Sequence, residues 1–266
     1  MPRIRPISPA TRRLPHTAAP DKPCPRRSNQ IAPEGDQVMS EIEELKSTVA
    51  ALAERVGTLE DLNAIRKLHY AYGYYIDYNR PDEVAELFSD DAEIVFLSGI
   101  YRGKEGARRL YGTWFQNLFT EGKPGPVYGF LLDHFQMQDI ITVAPDRKTA
   151  KGRFRAILMG GNHESRDYKP EGLPDQFYEA GIYENDYVRE DGVWKIKRLD
   201  YVVQWQADYE KGWYNTVAHL QPAIQTYPEN PLGPDVLIGE PRQTWPHRQE
   251  LAMHYAHPVL GRALNG

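Results

Sequence analysis

The sequence predicts an α+β fold in which helices come first and a run of long strands follows. Apolar residues recur every three or four positions up to about residue 88, which is typical of helices packed on a core. Long stretches with the composition of strands follow residue 126. The last two are joined by Asp191 and Gly192, a pair that favours a tight hairpin turn. This order is typical of one curved sheet with helices on one face.

The N-terminal residues are predicted to lie outside this domain. Residues 1–38 contain eight prolines and few large apolar side chains. We therefore expect a disordered tail there, or a segment that precedes a native start at Met39. Residues 39–61 are expected to form a separate amphipathic helix, with Gly57 as a candidate break.

The apolar residues of this first helix form a single stripe. They are Ile42, Leu45, Val49, Leu52, Val56 and Leu59. Such a stripe can cover the helix's own domain, or it can pair with another helix as a coiled coil. The sequence leaves both readings open.

Three helices are predicted in the domain itself, which we place at residues 62–207. Helical spacing continues from Leu62 to Ile76, and Pro81 suits the first turn of a second, short helix. A third helix is expected over residues 104–118.

The strands of the domain are predicted around and after the third helix. A first strand at residues 92–97 should turn and return through residues 101–103. Long strands are then expected over residues 127–143, 150–159, 177–188 and 193–206. Residues 208–266 are rich in proline and aromatic residues, and we expect an ordered arm that wraps the domain or a second subunit.

Composition excludes several classes of function. The formal net charge of -5 gives no field that would attract nucleic acid or an anionic membrane. No apolar run reaches the roughly 18 to 20 residues of a membrane span. Cys24, the only cysteine, excludes an internal disulfide and a cysteine nucleophile in the domain. We expect a cytoplasmic protein.

Four short motifs resemble the SnoaL-like branch of the NTF2-like superfamily. They are Ile76-Asp77-Tyr78, the stretch from Leu87 to Glu93, the stretch from Tyr101 to Gly106, and the stretch from Asp191 to Ile196. The family includes scytalone dehydratase, a hexachlorocyclohexane dehydrochlorinase, polyketide cyclases and lyases that act on lignin-derived aromatic dimers. The resemblance covers about residues 60 to 205. It implies a cone-shaped barrel, in which a curved sheet carries helices on its concave face.

The resemblance also implies a catalytic pair, Asp77 and His134. A carboxylate that accepts a proton from one imidazole nitrogen makes the other nitrogen a better base. Ile76 stands where scytalone dehydratase has a tyrosine, Gly160 lies near the place of its second histidine, and Tyr183 aligns with its pocket asparagine. The scytalone reaction itself is therefore not expected.

Further pocket residues follow from helical and strand periodicity, combined with the register of the resembling family. Tyr74 and Tyr183 are the candidates for a general acid or for support of an oxyanion. The substrate-binding candidates are Tyr70, Phe96, Tyr101, Phe154, Leu158, Asn185, Leu199 and Tyr201. A slip of one residue along the strands would instead turn Arg153, Arg155 and Arg198 inward.

The predicted function is a cofactor-independent lyase that eliminates water or a small carbonyl fragment from a small hydrophobic aromatic substrate. A lignin-derived two-ring compound is the leading substrate class. The alternatives are an isomerase or polyketide cyclase, and a non-catalytic small subunit of a ring-hydroxylating oxygenase. No metal site is expected, since His247, His254 and His257 lack a carboxylate at ligand spacing. We expect a homo-oligomer, either a dimer or a trimer.

Overall fold

The computed structural model describes residues 34–215, 219–220, 222–239 and 242–264. The chain divides into two units after Ala50. In the first unit, the described residues form the beginning of helix α1, and the side chains of residues 35–50 are exposed. All other elements belong to the second unit. The predicted tail at residues 1–33 lies outside the described residues.

Helices and strands follow the predicted order. The helices are α1 (Glu34–Asp77), α2 (Pro81–Glu86), α3 (Gly103–Ala107) and α4 (Gln116–Thr120), with a π-helical stretch, Arg108–Phe115, joining α3 to α4. The strands are β1 (Phe88–Phe96), β2 (Gly99–Arg102), β3 (Phe130–Val143), β4 (Thr149–Asn162), β5 (Gln176–Glu190), β6 (Val193–Asp208) and β7 (Val236–Leu237). A single 3₁₀ turn, Trp213–Asn215, follows β6.

The strands form one mixed sheet in the order β3-β4-β5-β6-β1-β2-β7. Neighbours are antiparallel except β1 and β6, which run parallel. Strands β3 and β7 are the edges, so in the described part of the chain the sheet is open. The predicted α+β class is confirmed.

The core lies between α1 and one face of the sheet. From α1 it takes Ile65, Tyr72 and Ile76, and from the strands it takes residues such as Phe154 and Leu199. These strand residues belong to the predicted inward set. The alternative register is excluded, because Arg153 pairs with Glu184, Arg198 pairs with Glu93 and Arg155 is exposed.

Two predictions about the N-terminal helix were wrong. Residues 34–38 are helical and not part of a tail, and α1 continues through Gly57 without a break. A glycine inside a helix costs about 1 kcal/mol relative to alanine, but here it makes room for a neighbour. A Cβ at this position would lie 2.0 Å from Nη1 of Arg147. Arg147 in turn bonds Asp61 one helical turn later.

The described parts of the C-terminal arm pack on the domain. Strand β7 extends the sheet beside β2. Asp235 accepts a hydrogen bond from the backbone N–H of Arg102 at 2.8 Å and forms an ion pair with Arg109 at 2.5 Å. The arm therefore covers the β2 edge, which would otherwise offer unpaired backbone groups.

Candidate active site

Asp77 and His134 meet at the junction of a helix end and an edge strand. Asp77 is the last residue of α1, and His134 lies on β3. Nδ1 of His134 is 2.6 Å from Oδ1 of Asp77. The backbone N–H of His134 also donates to both carboxylate oxygens, at 3.1 and 3.0 Å. Both side chains are more than nine-tenths buried.

The local sequence fixes this geometry. Helix α1 ends because Asn79 adopts a left-handed conformation, with φ of 50°. The side-chain amide of Asn79 donates to the Thr120 hydroxyl at 3.0 Å, which ties the helix end to α4. The backbone N–H and Nδ1 of His134 together make three hydrogen bonds to the Asp77 carboxylate and hold it in a single orientation.

The pair sets the tautomer of the imidazole. Because a carboxylate only accepts hydrogen bonds, Nδ1 of a neutral His134 carries the proton and Nε2 keeps a free lone pair. The His134 ring lines a cavity. The arrangement can therefore accept a proton from a molecule held there.

The cavity is narrow, and aromatic and aliphatic side chains make up most of its lining. Its lining includes Ile76, Phe96, Tyr111, Phe115, Leu132, Leu158, Tyr183, Leu199 and Tyr201. Its volume is about 60 Å³, and it shares six lining residues with a second chamber of about 120 Å³. Leu220 of the arm borders both chambers.

Two phenols inside the cavity stay protonated. Burial raises the pKa of Tyr183 and of Tyr201 well above the ordinary value. The Tyr201 hydroxyl is buried and has no hydrogen-bond partner among the described residues. Such a group can donate to an oxygen of a bound molecule.

Tyr74 and Tyr70, both predicted in the pocket, do not line it. The inward stripe of α1 is Ile65, Tyr72 and Ile76. At about 100° per residue, Tyr74 lies on the opposite side, and it is 64% exposed. Tyr70 lies between these faces, and its hydroxyl donates to Asp139 at 3.3 Å.

Three other substrate-binding candidates do not line the cavity but make contacts within the core or with the arm. The Tyr101 hydroxyl donates to the Leu232 carbonyl of the arm at 3.1 Å. Phe154 is fully buried and stacks on His69 at 3.6 Å between ring centroids. Asn185 lies two residues after Tyr183 on β5 and is buried. Its side-chain oxygen accepts a hydrogen bond from the backbone N–H of Asp200 at 3.1 Å. Alternation along a strand correctly predicts which face of the sheet a residue occupies. It does not show whether that residue meets the core or the cavity.

His69 was missed because it occupies an apolar position on the inward stripe of α1. Its Nε2 lies 3.0 Å from the side-chain oxygen of Gln136, and its Nδ1 lies 3.3 Å from both the Asn185 amide and the Tyr187 hydroxyl. Burial lowers its pKa to about 3. The only sequence signal for a buried His69 is its position, four residues after Ile65 on the same face of α1.

A polar group at the far side of the cavity was also missed. Glu179, Gln206 and His219 line the same cavity as His134. Gln206 donates to the Glu179 carboxylate and accepts the backbone N–H of His219 at 3.0 Å. Since His219 belongs to the arm, no periodicity within the domain could have pointed to it.

Among the described residues, no group of three or more His, Cys, Asp or Glu side chains is arranged to hold a metal ion. A larger groove of about 630 Å³ lies along Gly160, Gly161 and His163. It shares Phe177 with the cavity but does not include the Asp77–His134 pair.

No helix in the described part of the chain has the length and apolar character to cross a membrane.

Comparison with solved structures finds proteins of similar fold. A scytalone dehydratase-like protein from Novosphingobium aromaticivorans DSM 12444 is 20% identical with a TM-score of 0.46, over 64% of this chain and 97% of that one. LinA is 20% identical with a TM-score of 0.47, over 58% and 93%. Hexachlorocyclohexane dehydrochlorinase LinA-type3 from Novosphingobium barchaimii LL02 is 20% identical with a TM-score of 0.45, over 64% and 98%. No curated protein matches the chain.

The family is decided by the domain match. The model of the SnoaL-like domain matches residues 57–200, which is more than half of the chain. This range contains α1 from Gly57 to its end, strands β1 to β5 and the first half of β6. The chain therefore belongs to the SnoaL-like domain family.

Proposed function

We propose that the protein is a cofactor-independent lyase that eliminates water, or a small carbonyl fragment, from a small hydrophobic aromatic substrate. The observation that carries this proposal is the buried Asp77–His134 pair, with its imidazole on an aromatic cavity. An oriented imidazole suits the removal of a proton from carbon or oxygen.

The elimination of water needs one base and one acid. Nε2 of His134 takes the proton from the carbon beside the one that carries the hydroxyl. The electron pair of that C–H bond forms the new double bond, and the pair of the C–O bond leaves with the oxygen. The oxygen must gain a proton to depart as water, which a buried phenol or imidazole of the cavity can supply.

The lining of the cavity supports an aromatic substrate. The Phe115 ring makes edge-to-face contacts with the rings of Phe96 and Tyr111. A planar ring is the ligand that such walls accept. The present volume is smaller than a ring requires. We therefore expect the arm residues that border the cavity, such as Leu220, to move apart on binding. A two-ring substrate would extend into the second chamber.

A substrate panel followed by mass spectrometry tests the proposal. Aromatic alcohols with one or two rings are incubated with the purified chain, and a product lighter by water or formaldehyde is expected. A product of unchanged mass would show an isomerase or cyclase, and the lyase proposal would be wrong. No conversion by the chain alone, but conversion in the presence of an oxygenase large subunit, would favour the subunit reading.

Variants of the pair test the mechanism. We expect D77N and H134Q each to lower kcat by about 10² to 10⁴, because the first removes the charge that orients the imidazole and the second removes the base. H247Q is the matched control, because His247 is exposed on the arm. Circular dichroism and thermal melts check that all variants fold. Full activity in a folded H134Q would contradict the mechanism.

A further inference from the structure

A second carboxylate–imidazole pair, built from the end of β6 and the arm, presents its imidazole to the cavity. Nε2 of His219 lies 3.1 Å from Oδ1 of Asp208. The His219 side chain is 4% exposed, and it lines the same cavity as His134. Its Nδ1 is buried and has no hydrogen-bond partner among the described residues.

We propose that His219 is the general acid that protonates the leaving group, opposite the base His134. This inference rests on the proposed function and deepens it. An imidazole with one nitrogen bonded to a carboxylate and the other unpartnered inside a cavity is suited to exchange a proton with a ligand.

The carboxylate of the pair also has a second partner. Asp208 also accepts an ion pair from Lys211 at 2.9 Å. The hydrogen bond from Lys211, together with that from His219, lowers the pKa of Asp208. The carboxylate is therefore ionised and accepts the hydrogen bond of Nε2 of His219. The Glu179 side chain lines the cavity as well.

The proton balance of the step is complete. Nδ1 of the His219 imidazolium donates its proton to the departing hydroxyl, which leaves as water with the C–O electron pair. His134 holds the proton taken from carbon. After release of the product, His134 returns its proton to solvent and His219 takes one up, which restores the starting state.

Two substrates that share a carbon skeleton test this role. One carries a hydroxyl as leaving group and the other a chloride, which departs without protonation. We expect H219Q and D208N to lower kcat for the hydroxyl substrate by about 10² or more, and to change kcat for the chloride substrate by less than about threefold. H134Q should lower both, and H247Q neither.

Each other outcome has a definite meaning. Equal losses of both activities in a folded H219Q would show a structural role for His219 and overturn the assignment alone. Unchanged turnover of the hydroxyl substrate would overturn it as well. If the wild-type chain converts neither substrate, the proposed function is wrong, and this assignment falls with it.

A second inference comes from the exposed stripe on α1. From residue 38 to residue 59, apolar residues alternate at spacings of four and three, which is a heptad pattern. The a positions hold Ile42, Val49 and Val56, and the d positions hold Val38, Leu45, Leu52 and Leu59. All seven are between 38% and 64% exposed.

We infer that this stripe pairs with the same stripe of a second copy as a parallel, two-stranded coiled coil. β-Branched residues at a with leucine at d favour two parallel strands. The flanking charges agree with this arrangement. In a parallel pair, Glu41 at g faces Lys46 at e of the partner, and Arg55 at g faces Glu60 at e.

Light scattering combined with size-exclusion chromatography tests the pairing. We expect the wild-type chain to have the mass of a dimer, and L45E/L52E to have the mass of a monomer with an intact domain by circular dichroism. Ser47 lies on the opposite side of the helix, so S47E is the matched control and should stay dimeric. A monomeric or trimeric wild type would overturn the inference.

Cysteine cross-linking tests the orientation. In a C24S background, I42C should form a disulfide between two copies, because identical a positions face each other in a parallel pair. In an antiparallel pair, residue 42 would lie near residue 59 of the partner. Cross-linking in a mixture of I42C and L59C chains, but not in I42C alone, would overturn the parallel arrangement.

Discussion

At the scale of single residues, the same side-chain type has two different roles in this chain. His69 and His134 are both buried, but their partners differ. His134 bonds a carboxylate, whereas His69 bonds the neutral groups of Gln136, Asn185 and Tyr187. The neutral surroundings of His69 oppose its charged form, and burial lowers the pKa of His69 to about 3.

This pKa makes His69 a source of acid sensitivity. In the unfolded chain its pKa is near 6.5, so between pH 6.5 and 3 the unfolded state binds a proton that the folded state does not. Stability is therefore complete above about pH 6.5 and falls as the pH decreases. The loss from pH 7 to pH 5 should reach about 2 kcal/mol.

Urea denaturation at the two pH values measures this effect. We expect H69N to be less stable than the wild type at pH 7 but to lose less stability on acidification. H247Q serves as the control, since His247 is exposed on the arm. Equal pH dependence of the wild type and H69N would contradict the explanation.

At the scale of elements, Asp61 links α1 to three parts of the sheet. Its carboxylate accepts hydrogen bonds from Arg147 at 2.6 Å and from the Trp194 indole at 3.0 Å, and it forms an ion pair with Arg189 at 3.3 Å. Burial opposes the charge, but these bonds outweigh it and lower the pKa of Asp61. The side chain is 4% exposed.

We expect D61N to lower the free energy of unfolding by about 2 to 4 kcal/mol, because it leaves two arginines without their charged partner. Denaturation at pH 7 measures the change. D36N, at an exposed position of the same helix, should have little effect. A loss below about 0.5 kcal/mol in D61N would show that the cluster contributes nothing to the docking of α1.

At the scale of the whole molecule, the arm completes the cavity. The domain contributes His134 and the aromatic walls, and the arm contributes His219 and Leu220. Further along the arm, Asp235 holds it to β2 and to Arg109. The site is thus assembled from segments far apart in sequence.

We expect D235A to loosen the arm. Limited proteolysis should cut within residues 208–266 faster than in the wild type and leave the domain intact, and turnover should fall because His219 is no longer held in place. E229Q is the control, since Glu229 is an exposed residue of the arm. An unchanged cleavage pattern in D235A would show that other contacts hold the arm.

The sequence by itself determined the fold class, the order of the elements and the facing of the strands. Periodicity of two or of three to four reports which side of an element meets the core, and that information is local. The Asp191-Gly192 hairpin and the end of α1 near Asn79 were predictable for the same reason, because turn chemistry depends on adjacent residues. The resemblance to a known family pointed to Asp77 and His134, and the structure places these side chains 2.6 Å apart.

The tertiary structure alone decided which inward residues meet the cavity and which meet the core. Phe154 and Leu158 share a face of β4, but only Leu158 lines the cavity. Helix α1 continues through Gly57, and the side chain of Arg147, ninety residues later, occupies the space beside this glycine. His219 reaches the cavity through the path of the arm, which carries no periodic signal. In each case the deciding contact joins residues distant in sequence, and a local pattern holds no information about such a contact.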